Sequence, residues 1–433
     1  MVSQGNARIP YLFIALSLGL LSAACAPKKD AALPPKKAAP LVGASGLKEI
    51  NKDEKDGKKT EGKSTAKKKS PSMPWAKETY SPRPGSTPEP LLEEAASTCG
   101  RGDVALHQVA QLLAEKKDKG DHVKSVELAG FHLRRLGSPY VMPRLWSATV
   151  KTVNEEELAD LVSEWAHARP VLGELRCGVG LSQSEDGMTR VTVLQVDVLA
   201  DVQPLPTQVD SGEWLELEAN FLSPTSAATV VLLPPSGAPR RLDAQVEAGR
   251  VKARFSIETT GTWLVQLMAT QSGGPRPVAQ MLVTADEPPP SSPDASPVPG
   301  EEAMDESLSP ADALFSLVNA ARDDQGLPAL KRSRALDRVA REHSHAMIKQ
   351  GRISHNTGAG DPARRVAASG LSPEATGENV ARARSVIRLH RVLWASPAHR
   401  ENLLLRRWNE AGIAIVKQED GALFATQLFI DSD

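Results

Sequence analysis

Residues 377–402 read GENVARARSVIRLHRVLWASPAHREN. Gly377-Glu378-Asn379-Val380 reads as a turn that opens the stretch. An apolar-periodic segment runs to Trp394, and Ser396-Pro397-Ala398-His399-Arg400-Glu401-Asn402 closes it. The periodicity predicts a helix from about Ser385 to Ala395. A carboxylate, Glu378, and an imidazole, His399, thus flank one short helix, with a second imidazole, His355, just upstream.

The surrounding residues predict a small α/β module. Ser309-Pro310-Ala311-Asp312 is a helix start: serine can cap, proline suits the first helical position and aspartate the first turn. Leu314, Leu317, Val318 and Ala321 form its inner face, and Gly326 ends it. A second helix begins near Ser333 with Leu336, Val339, Ala340, His343 and Met347 on one side. His343 is therefore expected in the core. His345 faces elsewhere, so the two do not chelate together. Asp361-Pro362 starts a third helix that ends near Gly370. Gly412 to Lys417 and Leu423 to Ile430 read as closing strands, while Arg388 and His390 are expected on a solvated helix face.

Several chemistries are missing. There is no His-Glu-x-x-His, no Gly-x-Ser-x-Gly and no phosphate-binding glycine loop. The module holds no cysteine, which excludes a cysteine nucleophile there.

In order, these residues resemble the CAP superfamily, which comprises cysteine-rich secretory proteins, antigen 5 and pathogenesis-related 1 proteins, and its bacterial branch in particular. The resemblance covers roughly 310–431. It rests on Asn319-Ala320-Ala321-Arg322 with Gly326-Leu327, His343-Ser344 with Met347, Ser354-His355, and Asp361-Pro362 with Arg365. Gly377-Glu378-Asn379-Val380, Ser396-Pro397-Ala398-His399-Arg400 with Asn402, Gly412-Ile413-Ala414 and Thr426-Gln427-Leu428-Phe429 complete it. It implies an α-β-α sandwich with a central antiparallel sheet and an open cleft. It places His355, Glu378 and His399 in that cleft, with Asn379 and Gln427 beside them. The second glutamate of the animal proteins has no counterpart; Pro397 lies near its place. Two imidazoles and a carboxylate could ligate zinc with a position left open. They could equally form a hydrogen-bonded cluster that fixes loops.

Upstream, 287–307 is a linker of Pro, Ser and acidic residues. In 201–286, Leu215, Leu217, Ala219 and Phe221 alternate with Glu216, Glu218 and Asn220, a half-buried strand. Further short strands at 229–233, 251–257, 263–268 and 279–283 suggest an immunoglobulin-like β-sandwich without the Cys-Trp-Cys signature. Within 95–200, Ala105-Leu106-His107-Gln108-Val109-Ala110 matches Ala335-Leu336-Asp337-Arg338-Val339-Ala340. Val104, Leu106, Val109, Ala110, Leu112 and Leu113 form its stripe. Gly178-Val179-Gly180-Leu181 echoes Gly412-Ile413-Ala414-Ile415. This predicts a degenerate CAP-like α+β unit with no counterpart of the trio, although two amphipathic helices can share such a pattern by chance.

At the N-terminus, Arg8 and the apolar Ile9–Leu21 make a signal peptide over 1–24. Cys25 after Ser22-Ala23-Ala24 resembles a lipoprotein lipidation site, which implies a stable lipid anchor, and Ala26 implies the outer membrane. Residues 25–94 alternate lysine pairs with Pro, Ala, Gly and Ser and read as a disordered tether. The two remaining cysteines, Cys99 and Cys177, form an even pair in an oxidising compartment and are expected to be bridged.

The 433 residues carry a net charge of −1, which gives no global field for nucleic acid. The fold class is α+β multidomain, with the CAP module at 308–433. Three readings of function follow. One is an envelope-anchored module whose cleft binds a lipid, a cell-wall glycan or a protein. Another is a metal-assisted hydrolase or peptidase using the same cleft. The third is a structural protein of envelope assembly. Whether the chain is an enzyme stays open at this level.

Overall fold

The computed structural model describes residues 93–116, 122–151 and 154–432, all within one compact unit spanning 67–433. Cys25, the signal segment and nearly all of the tether lie outside the described residues.

The first layered unit begins with α1 (Glu93–Cys99), β1 (Arg101–Gly102) and α2 (Val104–Glu115). Asp103 caps α2 by accepting the Leu106 amide. Then come α3 (His122–Arg135), β2 (Arg144–Val150), α4 (Glu155–His167), β3 (Glu174–Gln183) and β4 (Thr189–Val198). The sheet runs β1-β3-β4-β2, with β1 parallel to β3 and the other pairs antiparallel. Alternation along β4 divides its side chains between two cores. Leu194, Val196 and Val198 pack with α2 and α3; Val191 and Val193 pack with α1 and α4. Cys99 and Cys177 are joined in a disulfide, Cα–Cα 5.8 Å, which staples α1 to β3. Two residues of the expected α2 stripe, Val104 and Leu112, are exposed. His107 takes an inner place instead, because its Nδ1 accepts the Val179 amide at 3.0 Å.

The second block contains β5 (Ala200–Val202), β6 (Gln208–Val209), β7 (Glu213–Phe221), β8 (Ala227–Leu233) and β9 (Arg240–Asp243). It continues with β10 (Gln245–Glu247), β11 (Arg250–Ile257), β12 (Gly261–Gln271) and β13 (Gly274–Ala285). They form two sheets, β10-β11-β7-β5 and β6-β13-β12-β8-β9, around one shared core that includes Leu217, Phe255, Trp263, Val265 and Leu267. The β12–β13 hairpin is longer than the sequence pattern suggests, and its tip reaches beyond that core.

The Pro-rich 287–307 stretch is docked over its second half. Val298 and Met304 pack on the C-terminal core, and a 3-10 turn spans Glu301–Ala303. Glu301 binds Arg391 through two contacts of 2.6 and 2.7 Å.

The C-terminal domain contains α5 (Pro310–Asp324), β14 (Lys331–Arg332), α6 (Arg334–Gln350), α7 (Pro362–Ala368) and β15 (Ala375–Ala383). Its last elements are α8 (Val386–Ala395), α9 (Pro397–Leu404), β16 (Glu410–Lys417) and β17 (Leu423–Asp431). Ser309 caps α5 and Asp361 caps α7, as their sequences predict. The sheet runs β14-β16-β17-β15. Ile413 and Phe429 face α5, α8 and α9, whereas Ala414, Leu428 and Ile430 face α6. This is the expected α-β-α sandwich. The Glu378-Asn379 segment is a strand, not a turn: β15 pairs antiparallel with the buried β17 along its whole length.

The two layered units share sheet order and strand directions. In each, a glycine lets a helix press on a strand. A Cβ on Gly178 would lie 2.1 Å from the Leu106 carbonyl carbon, and one on Gly412 would lie 2.3 Å from Leu336 Cβ. In each, the residue after that leucine accepts a strand amide. His107 accepts from Val179 at 3.0 Å and Asp337 from Ile413 at 2.8 Å.

Candidate functional site

Glu378 sits in the middle of β15 with its side chain 1% exposed. Alternation along the strand turns Glu378 toward α6 and α7 and Asn379 toward α9. The carboxylate is held at both oxygens. His355 Nδ1 donates to Oε1 at 2.8 Å, and Arg365 Nη2 donates to Oε2 at 2.6 Å. Arg365 comes from α7, one turn after the Asp361 cap, and also donates to the His355 carbonyl at 3.1 Å. It therefore fixes both the glutamate and the loop that carries the histidine.

His343 lies on the buried face of α6, as its spacing predicts, yet it also borders the site. Its Nε2 donates to the Ser354 carbonyl at 2.8 Å and lies 3.7 Å from Glu378 Oε1. Burial lowers its pKa, and the nearby Glu378 charge opposes that shift. Glu378 orients the His355 ring: with Nδ1–H committed to the carboxylate, Nε2 carries the free lone pair. The His355 side chain is 16% exposed, so it is the accessible member of this cluster.

On the other side of β15, Asn379 Nδ2 donates to the His399 carbonyl at 3.1 Å and to Gln427 Oε1 at 3.2 Å. Asn402 Nδ2 donates to the Glu378 carbonyl at 3.1 Å and to Asn379 Oδ1 at 3.0 Å. These amides lock α9 to the edge strand and so place His399. Burial above all pushes the His399 pKa down to about 4, so the ring is neutral at pH 7. His399 Nδ1, Gln427 Nε2 and Arg365 Nη1 are buried without a hydrogen-bond partner among the described residues.

His355, Glu378, Asn379, His399 and Gln427 thus gather around one strand, with Arg365, His343 and Asn402 as members whose roles the sequence did not reveal. Both Glu378 oxygens already accept N–H groups, and among the described residues no group of three His, Cys, Asp or Glu side chains is placed to hold a metal ion. The expected solvated position of His390 is also corrected. It is buried on α8 beside Leu389, Leu393 and Trp394, and its Nε2 donates to the Pro299 carbonyl at 2.8 Å.

A three-layer α-β-α sandwich with this polar cluster at its edge strand defines a domain class. Residues 315–429 match the family model of the cysteine-rich secretory protein family, and the C-terminal domain of this chain is a CAP domain. Solved structures are similar at low identity. An outer surface protein from Borrelia burgdorferi is 22% identical, with a TM-score of 0.28, over 31% of this chain and 97% of that one. An extracellular SCP-domain protein from Bacillus anthracis str. Ames is 20% identical, with a TM-score of 0.27, over 41% and 63%. A cysteine-rich secretory protein from Staphylococcus aureus subsp. aureus Mu50 is 13% identical, with a TM-score of 0.24, over 55% and 81%. No curated protein matches the chain.

Proposed function

We propose that this is an exported envelope protein, lipid-anchored through Cys25, whose CAP cleft binds an extracytoplasmic lipid, cell-wall glycan or protein. The observation that carries the binding reading is the state of Glu378. Its two oxygens are satisfied by His355 and Arg365, so the carboxylate acts as a fixed internal brace rather than as a free base or ligand. The exposed part of His355 is the group left to meet a ligand directly, and His399 Nδ1 and Gln427 Nε2 are buried without a hydrogen-bond partner among the described residues. In this reading the 95–200 unit is a second CAP-like copy that has lost the trio. Its sheet order and the paired glycine contacts support that assignment. The 201–286 block is an immunoglobulin-like sandwich that sets the spacing of the two.

The test uses the mature full-length protein with phospholipid vesicles and soluble peptidoglycan fragments as probes, read by tryptophan fluorescence and calorimetry. Saturable binding that weakens about tenfold in both His355→Ala and His399→Ala supports the cleft, since losing a buried polar partner is worth about that much. Binding to either probe that is identical in the two variants rules out the cleft as the functional surface.

One observation favours a hydrolase as the second reading. Glu378 holds His355 in the tautomer that leaves Nε2 as a base, the orienting role that a carboxylate plays in catalytic triads. Turnover of a peptide library that vanishes in His355→Ala would select it, and zinc titration of the same protein reads metal affinity directly.

A further inference from the structure

Helix α9 has no cap of its own. Ser396 occupies its N-cap position and makes no side-chain capping bond. The cap comes from another domain: Gln266 Oε1 of β12 accepts the Ala398 amide at 3.1 Å, one residue before His399. Val265 and Leu267 point into the sandwich core, so alternation puts Gln266 on the outer face of its sheet. It is nonetheless only 2% exposed. α9 covers it.

A second contact lies at the tip of the β12–β13 hairpin. The Gly273 carbonyl accepts Ser354 Oγ at 3.3 Å, and a Cβ on Gly274 would lie 2.9 Å from His355 Cβ. Gly274 also has φ +95°, where side chains are disfavoured. The hairpin backbone therefore presses on the His355 loop at a point that admits no side chain. At the rim, Arg241 Nε of β9 donates to both Glu401 oxygens of α9, at 2.8 and 3.0 Å, and Arg241 Nη2 adds a 2.5 Å contact. This rim pair is half exposed on the arginine side.

We propose that the β-sandwich is a docked cover on the CAP cleft: it holds the His355 loop and the His399 helix from one side, and the cleft opens when the sandwich undocks at the Arg241–Glu401 pair. The contacts divide the labour. Gln266 and the glycine hairpin give a close fit that positions the two histidines. The arginine–glutamate pair, the most solvent-reachable link, sets how readily the fit is released by salt or by a competing charged surface. The cover regulates the cleft proposed above and rests on that reading, but it can be tested without any ligand.

Carbethoxylation of the mature full-length chain by diethyl pyrocarbonate, read residue by residue by mass spectrometry, measures access to each imidazole. His345 is exposed and serves as internal reference. Arg241→Glu and Glu401→Arg each replace attraction by repulsion and should raise His355 and His399 labelling relative to His345 about five- to tenfold, the scale of a bidentate pair. The double variant Arg241→Glu/Glu401→Arg restores opposite charges and should return labelling to near the original rate. Gly274→Ala wedges the hairpin independently and should expose His355 more than His399. The cover is overturned by labelling of both histidines that stays unchanged in the two single variants. Labelling in the double variant that remains at the single-variant level overturns it equally. Because no ligand enters the assay, failure of the cover leaves the binding test above unaffected, and the reverse also holds.

Discussion

At Glu378, one carboxylate joins three segments: the strand it sits on, the His355 loop and α7 through Arg365. Removing its charge leaves a guanidinium that is 94% buried with only the His355 and Gly360 carbonyls to meet it. Glu378→Gln should therefore destabilise the CAP domain by about 3 kcal/mol, the cost of breaking a buried ion pair, measured by urea denaturation at pH 7. A loss below about 0.5 kcal/mol, the range of an exposed pair, would contradict the brace. His399 makes the second prediction at this scale. Its folded pKa is about 4, below the ordinary histidine value, so between pH 6.5 and 4 the unfolded chain binds a proton that the folded one refuses. Stability is full above pH 6.5 and falls as pH drops toward 4, by up to about 3 kcal/mol for this residue. His343 and His390, lowered by burial as well, add slope of the same sign. The pH 7 to pH 4.5 difference in unfolding free energy should shrink in His399→Gln; an identical slope would remove His399 as its source. The trio was legible in the sequence because its spacing carries a family pattern. The work of Arg365 was not, since an arginine in a seven-residue helix reads as a surface residue until the fold brings a carboxylate to it.

Among elements, β15 shows where sequence reading runs out. Ala375–Ala383 contains glycine, glutamate, asparagine and two arginine-flanking alanines, a composition poor in strand formers. It is a strand because β17, seven of whose nine residues are buried, needs a partner along its whole length. The polar residues that weaken its local signal are those that build the site. Helices α5 and α7 were legible for the opposite reason, since their capping residues Ser309 and Asp361 and the glycines that end them agree, whereas α6 was legible from its apolar stripe alone, Ser333 making no capping bond. In the first unit, α3 and β2 escaped notice because Glu127, Arg134 and Arg135 interrupt the apolar pattern of the 14-residue α3 and because β2 is only seven residues long. The contact of α6 on β16 supplies the prediction at this scale. Gly412→Ala places a methyl 2.3 Å from Leu336 Cβ and 2.4 Å from the backbone, where nothing flexible can yield. It should lower CAP-domain stability by about 2–3 kcal/mol, as overpacking does, seen as a lower thermal midpoint. An unchanged midpoint would mean that helix and strand are less tightly seated than 2.3 Å implies.

For the whole molecule, three folded blocks follow one another, and the docked stretch Val298–Met304 leaves little slack before the CAP domain. The docking of the Pro-rich segment was not legible, because a proline-rich composition states only what such a segment can do unaided, and here Arg391 and His390 capture it. The disulfide supplies the prediction at this scale. Its partners are 78 residues apart, so the bridge removes a large loop from the unfolded ensemble, worth about 4 kcal/mol. Reduction should lower the first unfolding transition while leaving the CAP transition in place, which differential scanning calorimetry with and without reductant resolves. A CAP transition that falls equally would show that the units unfold as one.

The same bridge has a mechanical meaning. Cys99 ends α1, the first described helix, and Cys177 lies in β3, within the sheet. Tension arriving from the N-terminal side is handed at Cys99 directly to a central strand. The segment from 100 to 176 then lies in a closed covalent loop that carries no load. A pull on this protein is thus borne by a strand hydrogen-bonded on both sides, to β1 and β4, instead of peeling α2 to α4 away one turn at a time.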